Sequence, residues 1–353
     1  MHLSDLWFIA IAVLWSGYFL LEGFDFGVGI LLPVLGRDDT QRRVMINAIG
    51  PVWDGNEVWL LTAGGATFAA FPFWYASLFS AMYLPLLIVL VALIIRGVGF
   101  EFRGKRESAR WRAGWDAALF LGSLVPAILW GVAFANVLRG IPLNAAHNYT
   151  GNFFSLLNGY GLLGGLATLS LFTLHGAVFL TLKTTGEVRR RAAAAAWTIG
   201  AVAVLAGGGF LAWTEFSYRA PGHGGTTGAA SVALAALAAL ALIAGVAASR
   251  AGREGYAFTG TAVAIVGATG ALFTALYPRV LPSSISPAYD LTTANAASAA
   301  KTLMVMTVVA AIFLPFVLAY QAWTYWVFRK RVGGDPQQPP QAPTIDQPTV
   351  ASR

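Results

Sequence analysis

Long apolar runs recur along nearly the whole chain and constrain its fold more than any other feature. The 353 residues are 57% hydrophobic and only 11% charged, and runs of about 18 or more apolar residues are typical of membrane-spanning helices. At about 1.5 Å per residue, such runs can cross a hydrocarbon core of ~30 Å. The sequence therefore predicts an all-α integral membrane protein with about nine transmembrane helices, at 6–35, 44–70, 75–98, 115–138, 159–182, 192–214, 228–248, 256–277 and 299–328.

The basic residues are sorted by loop, and this sorting predicts the orientation of the chain. One set of alternate loops holds seventeen Lys and Arg residues, whereas the other holds only Arg139, Arg219 and Arg279. By the positive-inside rule the N-terminus lies outside and the C-terminus is cytoplasmic. The net charge of +7 therefore does not indicate nucleic acid, which requires a basic cluster on a soluble face. The transmembrane domain is predicted at 1–331, and a Pro- and Gln-rich disordered cytoplasmic tail at 332–353.

Two of the apolar segments carry acidic residues where lipid is expected. Glu22 and Asp25 in the first predicted span, and Asp54 and Glu57 in the second, are spaced i, i+3, which puts each pair on one helix face. Counting from the short loop between the spans places Asp25 level with Asp54, and Glu22 level with Glu57. Glu101, near the cytoplasmic end of the third span, is placed at the mouth of this ladder.

Acids inside a membrane are costly, and the first interpretation of such residues is an ion or proton path. Carboxyl groups removed from water and set side by side can hold a proton near neutral pH and release it again. Purely structural hydrogen bonding is the alternative for the four-acid cluster. Neutralisation by Arg96, Arg103 or Arg106 is an equal alternative for Glu101, and Asp116 is interpreted as a helix-end residue.

Other residue types narrow the function. The chain has no cysteine, which excludes disulfides and Cys-ligated metal centres, and no histidine follows the four acids with the spacing of a Glu-x-x-His metal site. Only His175 lies in a predicted span, where a haem ligand and an ordinary hydrogen-bonded histidine are equal alternatives. A proton-coupled secondary transporter is disfavoured because the second half lacks mid-span acids. A purely structural scaffold subunit stays an alternative that mutation would separate.

Several long motifs resemble subunit II of the cytochrome bd quinol oxidases. The resemblance covers the chain from the first span to the ninth and is weakest in the Ala-rich sixth to eighth spans. Well-known members of the family have Asp at the positions of Glu22 and Glu101, so this chain keeps the acids on longer side chains. The motifs are EGFDFGVG at 22–29, RVMINAIGPVWDGNEVWL at 43–60, GGATFAAFP at 64–72, GVAFAN at 131–136, YTGNFF at 149–154, TLMVM at 302–306 and AWTYW at 322–326.

The resemblance implies a haem-free subunit of a terminal oxidase in the bacterial plasma membrane. It implies two four-helix bundles plus one peripheral helix, paired with a subunit I that carries two b-type haems, one d-type haem and the quinol site and reduces O2 to water. Protons from the cytoplasm are expected to pass through Glu22, Asp54 and Glu101, with Asp25 and Glu57 beside them. The resemblance leaves open whether this chain also holds a structural quinone and whether a small single-helix accessory subunit joins the complex.

Overall fold

A computed structural model describes residues 2–218 and 226–333. Within these ranges, eight helices are long and apolar enough to cross a membrane. They confirm the predicted all-α membrane protein, whereas its orientation stays a prediction. The strands of the described chain are short: β1 (Arg279–Leu281) pairs antiparallel with β2 (Leu291–Thr292) in the loop before the last helix.

The first half of the chain packs around its first helix. Helix α1 runs over Leu3–Leu35 and contacts the third and sixth helices directly, while the fifth helix packs on the sixth. The remaining helices of this half are α2 (Asp39–Ile49), α3 (Trp53–Ala70), α4 (Pro72–Ala81), α5 (Tyr83–Phe102) and α6 (Ala109–Arg139).

Apart from the last one, the helices of the second half pack mainly on their neighbours in sequence, and α1 packs chiefly on two of them. They are α7 (Gly159–Lys183), α8 (Gly186–Ser217), α9 (Thr226–Arg250), α10 (Glu254–Leu276) and α11 (Ala300–Val327). Helix α1 contacts α7 and α10, and therefore joins the two halves. Helix α11 lies outside both groups, against α1 and α3, and Leu303 is its buried residue.

Two predicted spans are interrupted. The span expected at 44–70 is formed by α2 and α3, and neither is among the eight candidate spans, so the count of nine stays a prediction. The break falls at Gly50–Val52, where Pro51 has no amide hydrogen to continue a helix. In the third predicted span one helix ends and the next begins after Met82, because the ring of Pro85 would clash with the carbonyl of residue 81 in a continuous helix.

Helices α1 and α7 approach closely because both present a glycine at the crossing. A Cβ on Gly27 would lie 2.1 Å from the Phe172 carbonyl oxygen, and one on Gly176 would lie 2.5 Å from the Gly27 carbonyl carbon. Neither position accepts a larger residue without moving backbone. This contact fixes the position of α1, which carries the two acids of the first motif, relative to α7.

The end of α11 is tied to the turn between α7 and α8. The ammonium of Lys183 donates to the carbonyls of Phe328 and Lys330, the latter at 3.0 Å. The amide of Val332, the first residue of the predicted tail, donates to the Lys183 carbonyl at 2.7 Å. The rest of that tail, from residue 334, lies outside the described residues.

Candidate functional site

Four ionisable side chains from three helices approach one another inside the helical core. Helix α1 supplies Glu22 and Asp25, α3 supplies Glu57, and α5 supplies Arg96. Glu22, Asp25 and Arg96 are fully buried, whereas the side chain of Glu57 is 22% exposed. The Arg96 guanidinium donates through Nη1 to Glu22 Oε1 and lies 3.8 Å from Glu57 Oε2. The structure therefore brings the predicted residues Glu22 and Glu57 to one arginine.

Apolar rings surround Arg96 on the sides that the acids leave free. Its guanidinium carbon lies 5.0 Å from the ring centre of Phe26 and 5.2 Å from that of Phe100, distances typical of cation–π contacts. Among the described residues, Arg96 Nε and Nη2 and Glu22 Oε2 have no hydrogen-bond partner. Unpartnered buried polar atoms cost folding free energy, and inside a membrane such a cost is typical of functional sites.

Asp25 faces a hydrogen-bonded chain of side chains from α3 and α11. Asn56 Nδ2 donates to Asp25 Oδ2 at 2.7 Å. The Asn56 carbonyl oxygen accepts from the Tyr325 hydroxyl at 2.7 Å and from Gln321 Nε2 at 3.2 Å. Gln321 Oε1 accepts in turn from the indole N–H of Trp59 at 3.0 Å. The peripheral helix therefore closes the acid cluster on one side.

Asp54 and Glu101 lie outside the buried cluster. Both are exposed, and the structure does not bring Asp54 to Asp25 as the depth count predicts. The reason is helical geometry: Asn56 faces α1, and a residue two positions earlier points roughly 200° away. Asp54 instead neighbours Glu57, one turn along the same face. The ring of Trp53, next to Asp54, lies 4.8 Å from that of Phe100, next to Glu101.

Sequence reasoning missed the partners of the acids. Arg96 lies inside the predicted span at 75–98. Charged residues inside membrane spans usually pair with opposite charges, and this rule would have predicted Arg96 as a partner of the acids. It pairs with Glu22 rather than with Glu101. Gln321 and Tyr325 lie 265 and 269 residues from Asn56, and the sequence around them does not predict the contact.

A second ionic cluster connects α2 with α5 and α6. The carboxylate of Asp116, which is 4% exposed, accepts from Arg103 Nε at 2.5 Å and from Arg42 at 2.8 Å. Asp39 accepts from Arg103 at 2.8 Å and from Arg112 at 3.0 Å. Asp116 is therefore a buried ion-pair residue rather than the helix-end residue expected from its position. The cluster holds α2 across the ends of α5 and α6.

His175 makes ordinary hydrogen bonds. Its Nδ1 lies 2.7 Å from the Thr261 hydroxyl and its Nε2 lies 3.2 Å from the Leu20 carbonyl. Its ring stacks on Phe258 at 4.7 Å. Because both ring nitrogens are engaged, His175 does not fit an axial haem ligand, which needs a free nitrogen. Of the alternatives weighed from sequence, this geometry supports the hydrogen-bonded histidine.

Comparison with known proteins decides between an oxidase subunit and a transporter. The sequence profile of the family "Cytochrome bd terminal oxidase subunit II" matches residues 3–328. The chain belongs to this family. It is 44% identical over 330 residues to cytochrome bd ubiquinol oxidase subunit 2 of Bacillus subtilis (strain 168), covering 94% of this chain and 97% of that protein. It is 38% identical over 362 residues to cytochrome bd-I ubiquinol oxidase subunit 2 of Escherichia coli (strain K12), covering 94% and 95%.

A solved structure carries the same fold. The structure of bd oxidase from Geobacillus thermodenitrificans superposes with a TM-score of 0.72 at 20% identity, covering 94% of this chain and 100% of that chain. Together these matches confirm the resemblance to cytochrome bd subunit II and the identification as a membrane subunit of a terminal quinol oxidase. The roles of the five acids stay predictions.

Proposed function

We propose that this subunit II conducts protons through its buried acids toward an oxygen-reducing haem site on subunit I. The complex would lie in the bacterial plasma membrane, with quinol as the electron donor and two b-type haems and one d-type haem on subunit I. Oxygen reduction consumes protons, and taking them from the cytoplasm builds membrane potential without a pump. The subunit also stabilises its partner, but electrons do not pass through it.

The cluster of Glu22, Asp25, Glu57 and Arg96 carries this proposal. The cluster holds three carboxyl groups and one guanidinium, so full ionisation would leave two uncompensated negative charges. Burying such charges is far more costly than binding protons to them. The cluster is therefore neutral when two of its carboxyls carry protons, and it can release one without unfolding. A scaffold would not require acids at these positions.

Exposure suggests an order along the path. Asp54 and Glu101 are exposed and lie on either side of the Trp53–Phe100 pair. Glu57 is intermediate: it lies one turn from Asp54 on α3 and close to Arg96, which holds Glu22. Protons would enter at Glu101 and Asp54, pass to Glu57, and reach Glu22 and Asp25 in the buried part.

A structural quinone would suit a different part of the chain. A cavity of about 570 Å³ lies between α3, α4, α5 and α6, with α1 and α10 at its wall, and is lined by apolar and aromatic side chains, among them Trp15, Trp74, Tyr75 and Trp130. The indole N–H of Trp74 is buried without a hydrogen-bond partner in the described chain and would suit a quinone carbonyl oxygen. The aromatic walls would hold an isoprenoid tail. Such a quinone would stabilise the subunit rather than react.

The decisive variant is Asp54→Asn in the intact complex. Among the described residues Asp54 makes no ion pair or hydrogen bond, so its replacement leaves the fold unchanged. We expect quinol-dependent oxygen consumption to fall by about tenfold or more, as is typical when a positioned proton donor is removed, with the haem spectrum unchanged. Glu107→Gln, at an exposed acid between α5 and α6, is the control and should keep full activity. Full turnover in Asp54→Asn would remove Asp54 from the path.

A further inference from the structure

The chain of hydrogen bonds that ends at Asp25 has a fixed direction because it begins at a group that can only donate. The indole of Trp59 has one N–H and no acceptor. Its N–H points to Gln321 at 3.0 Å, so the Gln321 amide must turn its carbonyl oxygen to Trp59. The carbonyl oxygen and the NH2 group of a side-chain amide point in different directions from the amide carbon. The NH2 group of Gln321 therefore faces Asn56.

The same argument fixes the next amide. Because Gln321 presents a donor, the Asn56 carbonyl oxygen must face it, as the 3.2 Å contact shows. The NH2 group of Asn56 then faces Asp25 at 2.7 Å. Asp25 is therefore offered a donor, and a hydrogen-bond donor binds a carboxylate more strongly than a protonated carboxyl group. Tyr325 does not set the direction, since a hydroxyl can donate or accept.

We infer that Trp59 is a positioning residue which, through Gln321 and Asn56, presents Asp25 with a hydrogen-bond donor and so favours the ionised form of Asp25 over its protonated form. Trp59 does not touch Asp25 and carries no charge. It acts by preventing the two amides from turning over. If they turned, the Asn56 oxygen would face Asp25 and would accept a hydrogen bond from its protonated form. On the proposed function, which this inference deepens, Trp59 would keep one site of the path ready to receive a proton.

Other groups around Asp25 are unchanged by a substitution at Trp59. The charged and titratable side chains that face Asp25 are Glu22 on its own helix, Glu57 on α3, Arg96 on α5 and Tyr325 on α11. Glu22, Glu57 and Arg96 act on Asp25 through their charge whichever way the amides point. A change at Trp59 therefore isolates the direction of the hydrogen bonds from the charge of the cluster.

Infrared spectroscopy of the purified complex tests the inference directly. Trp59→Phe removes the N–H and keeps a ring, while Gln321→Met removes the linking amide at similar length. A hydrogen bond to a charged group contributes enough to shift a protonation ratio by about tenfold. We expect both variants to raise the protonated fraction of Asp25 by about that factor, seen as a protonated-carboxyl band that disappears when Asp25→Asn is added.

The control is Trp323→Phe, the same substitution at a tryptophan of α11 that is 58% exposed. It should leave the carboxyl region unchanged. The inference is overturned if Trp59→Phe and Gln321→Met give the parent spectrum, or if their new band persists in the Asp25→Asn background. The two proposals fail by different measurements. Full oxygen consumption in both Asp54→Asn and Asp25→Asn would refute the proposed proton path. The infrared band tests the role of Trp59 independently of oxygen consumption.

Discussion

Removing the arginine from the acid cluster is predicted to be more damaging than removing arginine and acid together. Arg96 and Glu22 are both fully buried and in direct contact. Arg96→Met keeps a long unbranched side chain between Phe26 and Phe100 but leaves Glu22 without its counter-charge. The double variant Arg96→Met with Glu22→Met removes both charges of this buried pair.

The expected magnitude follows from burial. Breaking a fully buried ion pair by removing one partner costs about 3–5 kcal/mol, whereas replacing both partners by apolar side chains of similar size is often close to neutral. For a chain of this size, a loss of that order lowers the melting temperature by on the order of 10 °C. Glu57 contributes less to the difference because it lies 3.8 Å from Arg96 and is partly exposed.

The measurement is thermal unfolding of the purified complex in one detergent, followed by tryptophan fluorescence. We expect a large fall in melting temperature for Arg96→Met and recovery of most of it in the double variant. Arg110→Met, at an exposed arginine near the start of α6, should match the parent. If the double variant melts as low as Arg96→Met, the loss comes from packing around the guanidinium, and the ion-pair reasoning is refuted.

Two further predictions concern helix packing. Gly27→Ala should destabilise the chain by about 1–3 kcal/mol, because the added methyl would overlap the Phe172 carbonyl; Gly64→Ala, where nothing lies within 4 Å, should not lower the melting temperature, and equal effects would contradict the close packing. Lys183→Met should free the end of α11 and speed amide hydrogen exchange at residues 328–332, measured by mass spectrometry, whereas Lys301→Met should leave it unchanged.

Features that depend on local pattern were predictable from sequence. The apolar runs gave the helices of the described chain, and the i, i+3 spacing correctly placed Glu22 with Asp25 on the inner face of α1. Asp54 and Glu57 share one face of α3, as their spacing predicts, but the depth count that set Asp54 level with Asp25 was wrong. In α3 the inner face is set by Asn56, because α1 and α11 contact it there, and a spacing rule cannot tell which face of a helix a tertiary contact selects.

The partners of the acids depend on contacts distant in sequence. Arg96 belongs to α5, and the rotation of α5 about its axis is set by packing on α6. Counting residues from the loops therefore could not predict that Arg96 approaches Glu22. The predicted second span is also shorter in the structure, because the chain breaks at residues 50–52. Its length alone favoured one continuous membrane helix, but it contains a proline and several polar residues. Known relatives, rather than the residues alone, decided between oxidase subunit and transporter.

The contact between Asn56 and α11 has a consequence for how the protein is made. Synthesis proceeds from the N-terminus, and early segments begin to fold before later ones exist. The acids of α1 and α3 are therefore made long before Gln321 and Tyr325, which must arrive before Asn56 is held in place. A chain that stops short of its last helix would retain all five acids but would leave Asp25 without a fixed neighbour. Completion of the final segment is thus the step that turns a row of carboxyl groups into an ordered site.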